Sequence, residues 1–70
     1  MIPLAMSKPG IENSIKKVGG MEETRQFLAN LGFTAGSHIT IISETGGNLI
    51  VSVKESRVAI SREMASKIMI

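Results

Sequence analysis

His38 is the only histidine in this sequence, and six carboxylates are the only acids that could work beside it. A catalytic or zinc-bound histidine needs partners: a nucleophile and an orienting acid, or two or three further ligands. Glu44 could approach His38 only across a sheet edge, so a structural or surface role is expected and His38 is at most a weak metal candidate. The acids fall at a helix start, in a turn and at isolated positions. Glu22 and Glu23 are adjacent, so they point to different sides of a helix and cannot act as a carboxylate pair. With no cysteine, thiolate metal sites and thiol nucleophiles are excluded. No residues stand out as catalytic, and no cofactor is implied.

Phosphate and nucleic-acid chemistry are equally thin. Gly19-Gly20 precedes a helix, but neither phosphate-loop nor dinucleotide-loop spacing follows, so the pair reads as turn punctuation. Lys16-Lys17 is the only basic doublet, and the net charge is +2. Nucleic-acid binding needs several clustered phosphate contacts, and barrels that bind it show aromatics on a strand face. The only two aromatics here, Phe27 and Phe33, lie outside the expected strands.

A chain of 70 residues is read as one small domain, residues 1–70. It buries only about 60% of its unfolded surface and leaves no room for a large cavity beside a core. That core must be aliphatic, with five methionines as gap fillers. Small secreted domains usually need disulfides, so a cytoplasmic location is expected. Met1 to Met6 is apolar but ends at Ser7-Lys8-Pro9, too short for a signal core or a membrane span.

The elements follow from periodicity. Met1 to Pro9 is an extended lead-in. Gly10 to Val18 is the first strand, and its imperfect alternation calls for a bulge near Lys16 or Lys17. Met21 to Leu31 is a helix, with Glu22 and Glu23 at its positive end and a Glu22–Arg25 pair on its wet side. Gly32 follows as a left-handed cap, and Phe33 can fold back on the last turn. Ser37 to Glu44 and Asn48 to Lys54 are strands flanking Gly46-Gly47. A three-residue loop, Thr45 to Gly47, sets Ile41 against Val51 and Ile39 against Val53. A Glu55-Ser56 loop then sets Val53 against Val58 and Val51 against Ile60. Ser61 caps a helical turn, Arg62 to Ser66. Lys67 to Ile70 is a last strand, pairing with the first. The fold class is mainly β: a small curled barrel of about five strands, one α-helix inserted after the first strand and a short helical turn before the last.

Leu28, Leu31, Gly32 and Phe33 form the one ambiguous cluster. At least half of it must be core and helix cap. Phe33 lies past the helix end and Phe27 one step off the Leu28 face, which leaves room for one of them at the surface. An exposed aromatic beside a rigid cap can anchor a protein partner.

Arg25, then Leu28, then Leu31-Gly32-Phe33, then Gly36 resembles the RxxLxxLGFxPG signature of the FeoA family, the ferrous iron transport protein A. Ala35 replaces the usual proline. Pro9-Gly10, Gly19-Gly20, Gly46-Gly47, Ala59-Ile60, Glu63-Met64-Ala65 and Ile68 also match, so the resemblance covers nearly the whole chain. Glu55-Ser56 departs from it, because the family commonly has glycine there. The resemblance implies an SH3-like barrel supporting bacterial uptake of Fe(II). It implies action at the cytosolic face of the ferrous-iron permease, which carries a GTP-hydrolysing domain. The contact expected for that partner is Arg25, Phe27, Leu28, Leu31, Gly32 and Phe33, with Arg25 at the rim. Fe(II) enters only through the pathway, and neither nucleic acid nor direct membrane insertion is expected. A weak homodimer is compatible with the exposed strand edges. The alternative is a transition-metal sensor or regulator, resembling the SH3-like domain of iron-dependent repressors.

Overall fold

Alternating aliphatic residues between Ile39 and Ile60 build a three-stranded antiparallel meander in the computed structural model of residues 1–70. Its strands are β3 (His38–Thr45), β4 (Asn48–Val53) and β5 (Ser56–Ser61). β1 (Glu12–Ser14) pairs on the outer side of β3 and completes a four-stranded sheet. A second sheet joins β2 (Lys17–Val18) to β6 (Ile68–Met69). Between them in sequence lie α1 (Glu22–Asn30) and α2 (Arg62–Ala65). The expected count of about five strands is met by six, arranged in two sheets.

The extra strand arises because the expected Gly10–Val18 strand divides. β1 pairs with β3 as far as Ser14. Ile15 then exchanges hydrogen bonds with the loop before β3, donating to Ser37 and accepting from Gly36, both at 2.8 Å. Lys16 donates to Met69 on the other sheet at 2.7 Å. The irregularity expected near Lys16 is thus a change of sheet. It lets Ile15 enter the core while Ile11 stays 52% exposed.

The β3–β4 register is Ile41 opposite Val51 and Ile39 opposite Val53, as expected. The turn is not. Thr45 pairs with Asn48, so the loop holds only Gly46 and Gly47, and the odd residue is Ile42, a bulge between Ile41 and Ser43. Only one extra residue was needed to keep both apolar sets inward, and a bulge supplies it as well as a longer loop does. Gly46, at φ +58°, takes the left-handed position that so short a turn requires.

The next hairpin turns one residue earlier than expected, on Lys54-Glu55. Val51 faces Val58 and Leu49 faces Ile60. Sliding by two leaves every side chain on its original face, so alternation could not distinguish the registers. The expected register would have set Leu49 opposite Arg62. The observed one gives this fully buried leucine an apolar partner.

The twelve core residues are Leu4, Ile15, Leu28, Phe33, Ile39, Ile41, Leu49, Val51, Val53, Ile60, Ala65 and Ile68. Leu4 belongs to the lead-in, which is not simply extended: Leu4–Met6 forms a 3₁₀ turn. Ile2 and Ile70 exchange backbone hydrogen bonds at 3.0 and 2.8 Å, tying the two ends together. α2 stops one residue short of expectation and is capped by Ser61, whose Oγ accepts from the Met64 amide at 3.1 Å. Arg62 donates to Glu44 at 3.1 Å and to the Ala5 carbonyl at 3.3 Å, bracing α2 against β3 and the lead-in.

Lys54 and Glu55 occupy the left-handed region at φ 46° and 65°, which disfavours residues carrying Cβ. Glu55→Gly should therefore stabilise the domain by about 1 kcal/mol, raising Tm by about 4–8 °C. Circular-dichroism melts of the two proteins measure this, and an unchanged or lower Tm would contradict a strained turn.

Candidate functional site

α1 is held chiefly by its ends. Gly20, at φ +95°, starts it with the Lys67 side chain laid against the glycine, where a Cβ would come 3.0 Å from Lys67 Cδ. At the far end Leu31 is the cap residue. The Phe33 amide donates to the Leu28 carbonyl at 2.9 Å and the Gly32 amide to Ala29 at 3.0 Å. This is the Schellman pattern, in which the residue at the glycine position must go left-handed. Gly32 does so at φ +104°. Leu28 and Phe33, its hydrophobic pair, are both buried.

Burial revises the expected contact set. Leu28 and Phe33 are closed inside the core at 0% and 1% exposure, so their side chains cannot touch a partner. Phe27 is the exposed aromatic, at 50%. Leu31 is half-buried and packs against the core edge. Arg25 is exposed, but two helical positions from Phe27 place it about 160° away around the axis. It therefore cannot form the rim of a Phe27 patch. It lines a shallow hollow with Glu22, Gln26 and Ala29 on the other flank. No ion pair joins Glu22 to Arg25; Arg62 pairs with Glu44, and His38 Nδ1 lies 3.8 Å from Glu12 Oε1.

A cleft of about 390 Å³ opens between the start of α1 and α2, lined by Met21, Thr24, Ser61, Glu63, Met64 and Lys67. Sequence reasoning missed it, because its walls are distant in the chain. The capping signal at Ser61 placed one wall, but nothing local placed Met21 opposite.

His38 is exposed and does not meet Glu44. Glu44 sits at the far end of β3, roughly 20 Å away at about 3.4 Å per residue, where Arg62 engages it. The acid beside His38 is Glu12, at 3.8 Å. No group of three or more His, Cys, Asp or Glu side chains gathers anywhere. No polar or charged residue is buried, and no helix is long and apolar enough to cross a membrane.

A family model described as the FeoA domain matches residues 2–70. A curated relative from Methanocaldococcus jannaschii, provisionally named Fe(2+) transport protein A, is 39% identical over 70 residues, covering 100% of this chain and 85% of that one. The crystal structure of an iron uptake regulatory protein, FeoA, is 31% identical with a TM-score of 0.87, covering 96% of this chain and 91% of the other. FeoA of Stenotrophomonas maltophilia, crystallised with zinc and described as a prokaryotic SH3 domain protein, has a TM-score of 0.86 at 19% identity, covering 99% of this chain and 88% of that one. That likeness identifies the mainly β fold described above as SH3-like.

A Cβ at Gly32 would meet Lys54 and Val53 side-chain atoms only at ordinary contact distances, 3.5 Å and beyond, so space does not forbid one. The backbone does. Gly32→Ala should destabilise the domain by about 1–2 kcal/mol, whereas Phe27→Ala, at the surface, should stay within about 1 kcal/mol. Urea unfolding separates them, and equal midpoints would remove the cap from its structural role.

Proposed function

The chain belongs to the FeoA family, and from that premise we propose that it is an accessory protein of ferrous iron uptake. It docks on the permease from the cytosol, through the C-terminal half of α1. The exposure of Phe27 carries this reading. A half-exposed aromatic is mounted one residue from buried Leu28, on a helix end locked by Gly32 and Phe33. Such an anchor loses little conformational freedom on binding, because its backbone is already fixed. Leu31, four residues on, lies on the same side of the helix and extends the apolar contact. Leu28, Gly32 and Phe33 support the surface from beneath. Arg25 belongs to a separate flank.

The partner in this reading is the ferrous-iron permease, which carries a GTP-binding domain, and docking on it from the cytosol puts the protein at the inner face of the membrane. No catalytic step, cofactor or nucleic-acid contact is assigned to the chain itself. Fe(II) is the cargo of the pathway.

Titration of the labelled domain with the permease's soluble GTP-binding domain tests the proposal by NMR. Shifts should cluster at Phe27 and Leu31, and Phe27→Ala should weaken binding by about 5- to 30-fold, the range of a good aromatic anchor. Arg25→Ala should change affinity far less. Undiminished binding by Phe27→Ala would sink the proposed anchor.

A further inference from the structure

β5 is an edge strand with nothing paired to its outer side. Val53 and Ser56 close the Lys54-Glu55 hairpin, and the Arg62 amide donates to the Gly47 carbonyl at 2.9 Å in the same register. Ladder bonds to β4 therefore fall at Ser56, Val58 and Ile60, every second residue. The amides and carbonyls of Arg57 and Ala59 point the other way, and no other segment of the chain pairs with them. Proteins blunt such edges with proline, bulges, charges or very short strands. β5 runs for 6 residues in unbroken register without proline, and Arg57 is its single charge.

α1 walls this edge. At its start, Met21 and Thr24 line the cleft of about 390 Å³ together with Ser61, the last residue of β5. At its end, a Cβ on Gly32 would lie 3.7 Å from Val53, which pairs with Ser56, the first residue of β5. The helix therefore runs alongside β5 in the opposite sense. Thr24, Phe27 and Leu31 are spaced by three and four, so they share one stripe of the helix. The stripe that meets the cleft at Thr24 continues along β5 at Phe27 and Leu31. Val58, the core-facing residue in the middle of the edge, is only half-buried. Strand addition needs this combination: free main-chain partners for hydrogen bonding, and apolar surface for alternate side chains.

We infer that an extended segment of the permease's GTP-binding domain pairs antiparallel with β5, in the channel between β5 and α1. The inference rests on the docking proposal above and specifies its contact. The segment exchanges main-chain hydrogen bonds with Arg57 and Ala59. Its residue opposite Val58 is apolar and packs against Val58, Phe27 and Leu31. Its neighbour opposite Arg57 projects from the outer face of the sheet. A carboxylate there pairs with Arg57, which is exposed and has no acid within ion-pair distance in the free domain.

Amide hydrogen exchange of the labelled domain, free and bound to that GTP-binding domain, tests the inference. The Arg57 and Ala59 amides should exchange fast in the free domain, and binding should slow both by on the order of tenfold. The Val58 and Ile60 amides, already bonded to β4, should change far less. Ala59→Pro removes an outward amide and no ladder bond, a change that edge strands tolerate. It should weaken binding by about tenfold, the worth of a good main-chain hydrogen bond. Circular dichroism checks that the variant folds; if it does not, exchange in the unaltered protein decides. Unslowed exchange at both amides, in a complex that Phe27→Ala still weakens, overturns strand addition and leaves docking through α1 standing. Full affinity in folded Ala59→Pro does the same. Absence of any complex overturns both proposals. Protection that appears on concentrating the domain alone assigns the edge to a second copy and overturns the permease segment.

Discussion

Strand side chains alternate, and this structure depends on keeping that alternation in phase. Ile39 and Ile41 of β3, Leu49, Val51 and Val53 of β4, and Ile60 of β5 all reach the same core. A slip of one residue would turn a whole strand's apolar set into water. Each of these side chains contributes roughly 1.5–3 kcal/mol when buried, more together than a domain of this size has to spare. The chain therefore accepts local irregularity to keep phase. Ile42 bulges so that a two-residue glycine turn and an inward Ile41 can coexist. Lys54 and Glu55 enter the left-handed region so that Leu49 can face Ile60.

Around that sheet, closure comes from segments that are individually weak. β2 and β6 have two residues each, and neither would persist alone. They hold because Ile2 and Ile70 zip the termini, Pro3 bridges to Met69, and Leu4, Ile15 and Ile68 fill the space between the sheets. Arg62 clasps the lead-in and Glu44 together at the same end.

The helix is placed differently, and its placement bears on function. Leu28 is the only residue of α1 that is fully buried. The other faces stay in solvent, so α1 offers two flanks that the core does not consume. Phe27 marks one and Arg25 the other, and a helix cannot bring the two to one patch. The sheet's outer face is a third surface, polar where β1 and β3 present Glu12, Ser14, His38 and Thr40.

Much of this was legible in the residues alone. Gly32 after Leu31, Ser61 before Arg62, and Gly46-Gly47 between two aliphatic runs are local signals, and each marked its cap or turn. The Ile39–Val53 and Ile41–Val51 pairs were legible because alternation plus one buried face fixes phase. Four things were decided only in three dimensions. Alternation is blind to a slip of two, so burial of Leu49 had to choose the second hairpin's register. Parity demands an odd residue but does not locate it, so Ile42 rather than Thr45 became the irregular one. Which phenylalanine reaches the surface depended on how α1 sits: the cap folds Phe33 under Leu28 into the core, and Phe27, one position off the Leu28 face, stays half-exposed. The nearness of Glu12 to His38 likewise belongs to strand pairing, since nothing between residues 12 and 38 in the sequence announces that β1 lies beside the start of β3.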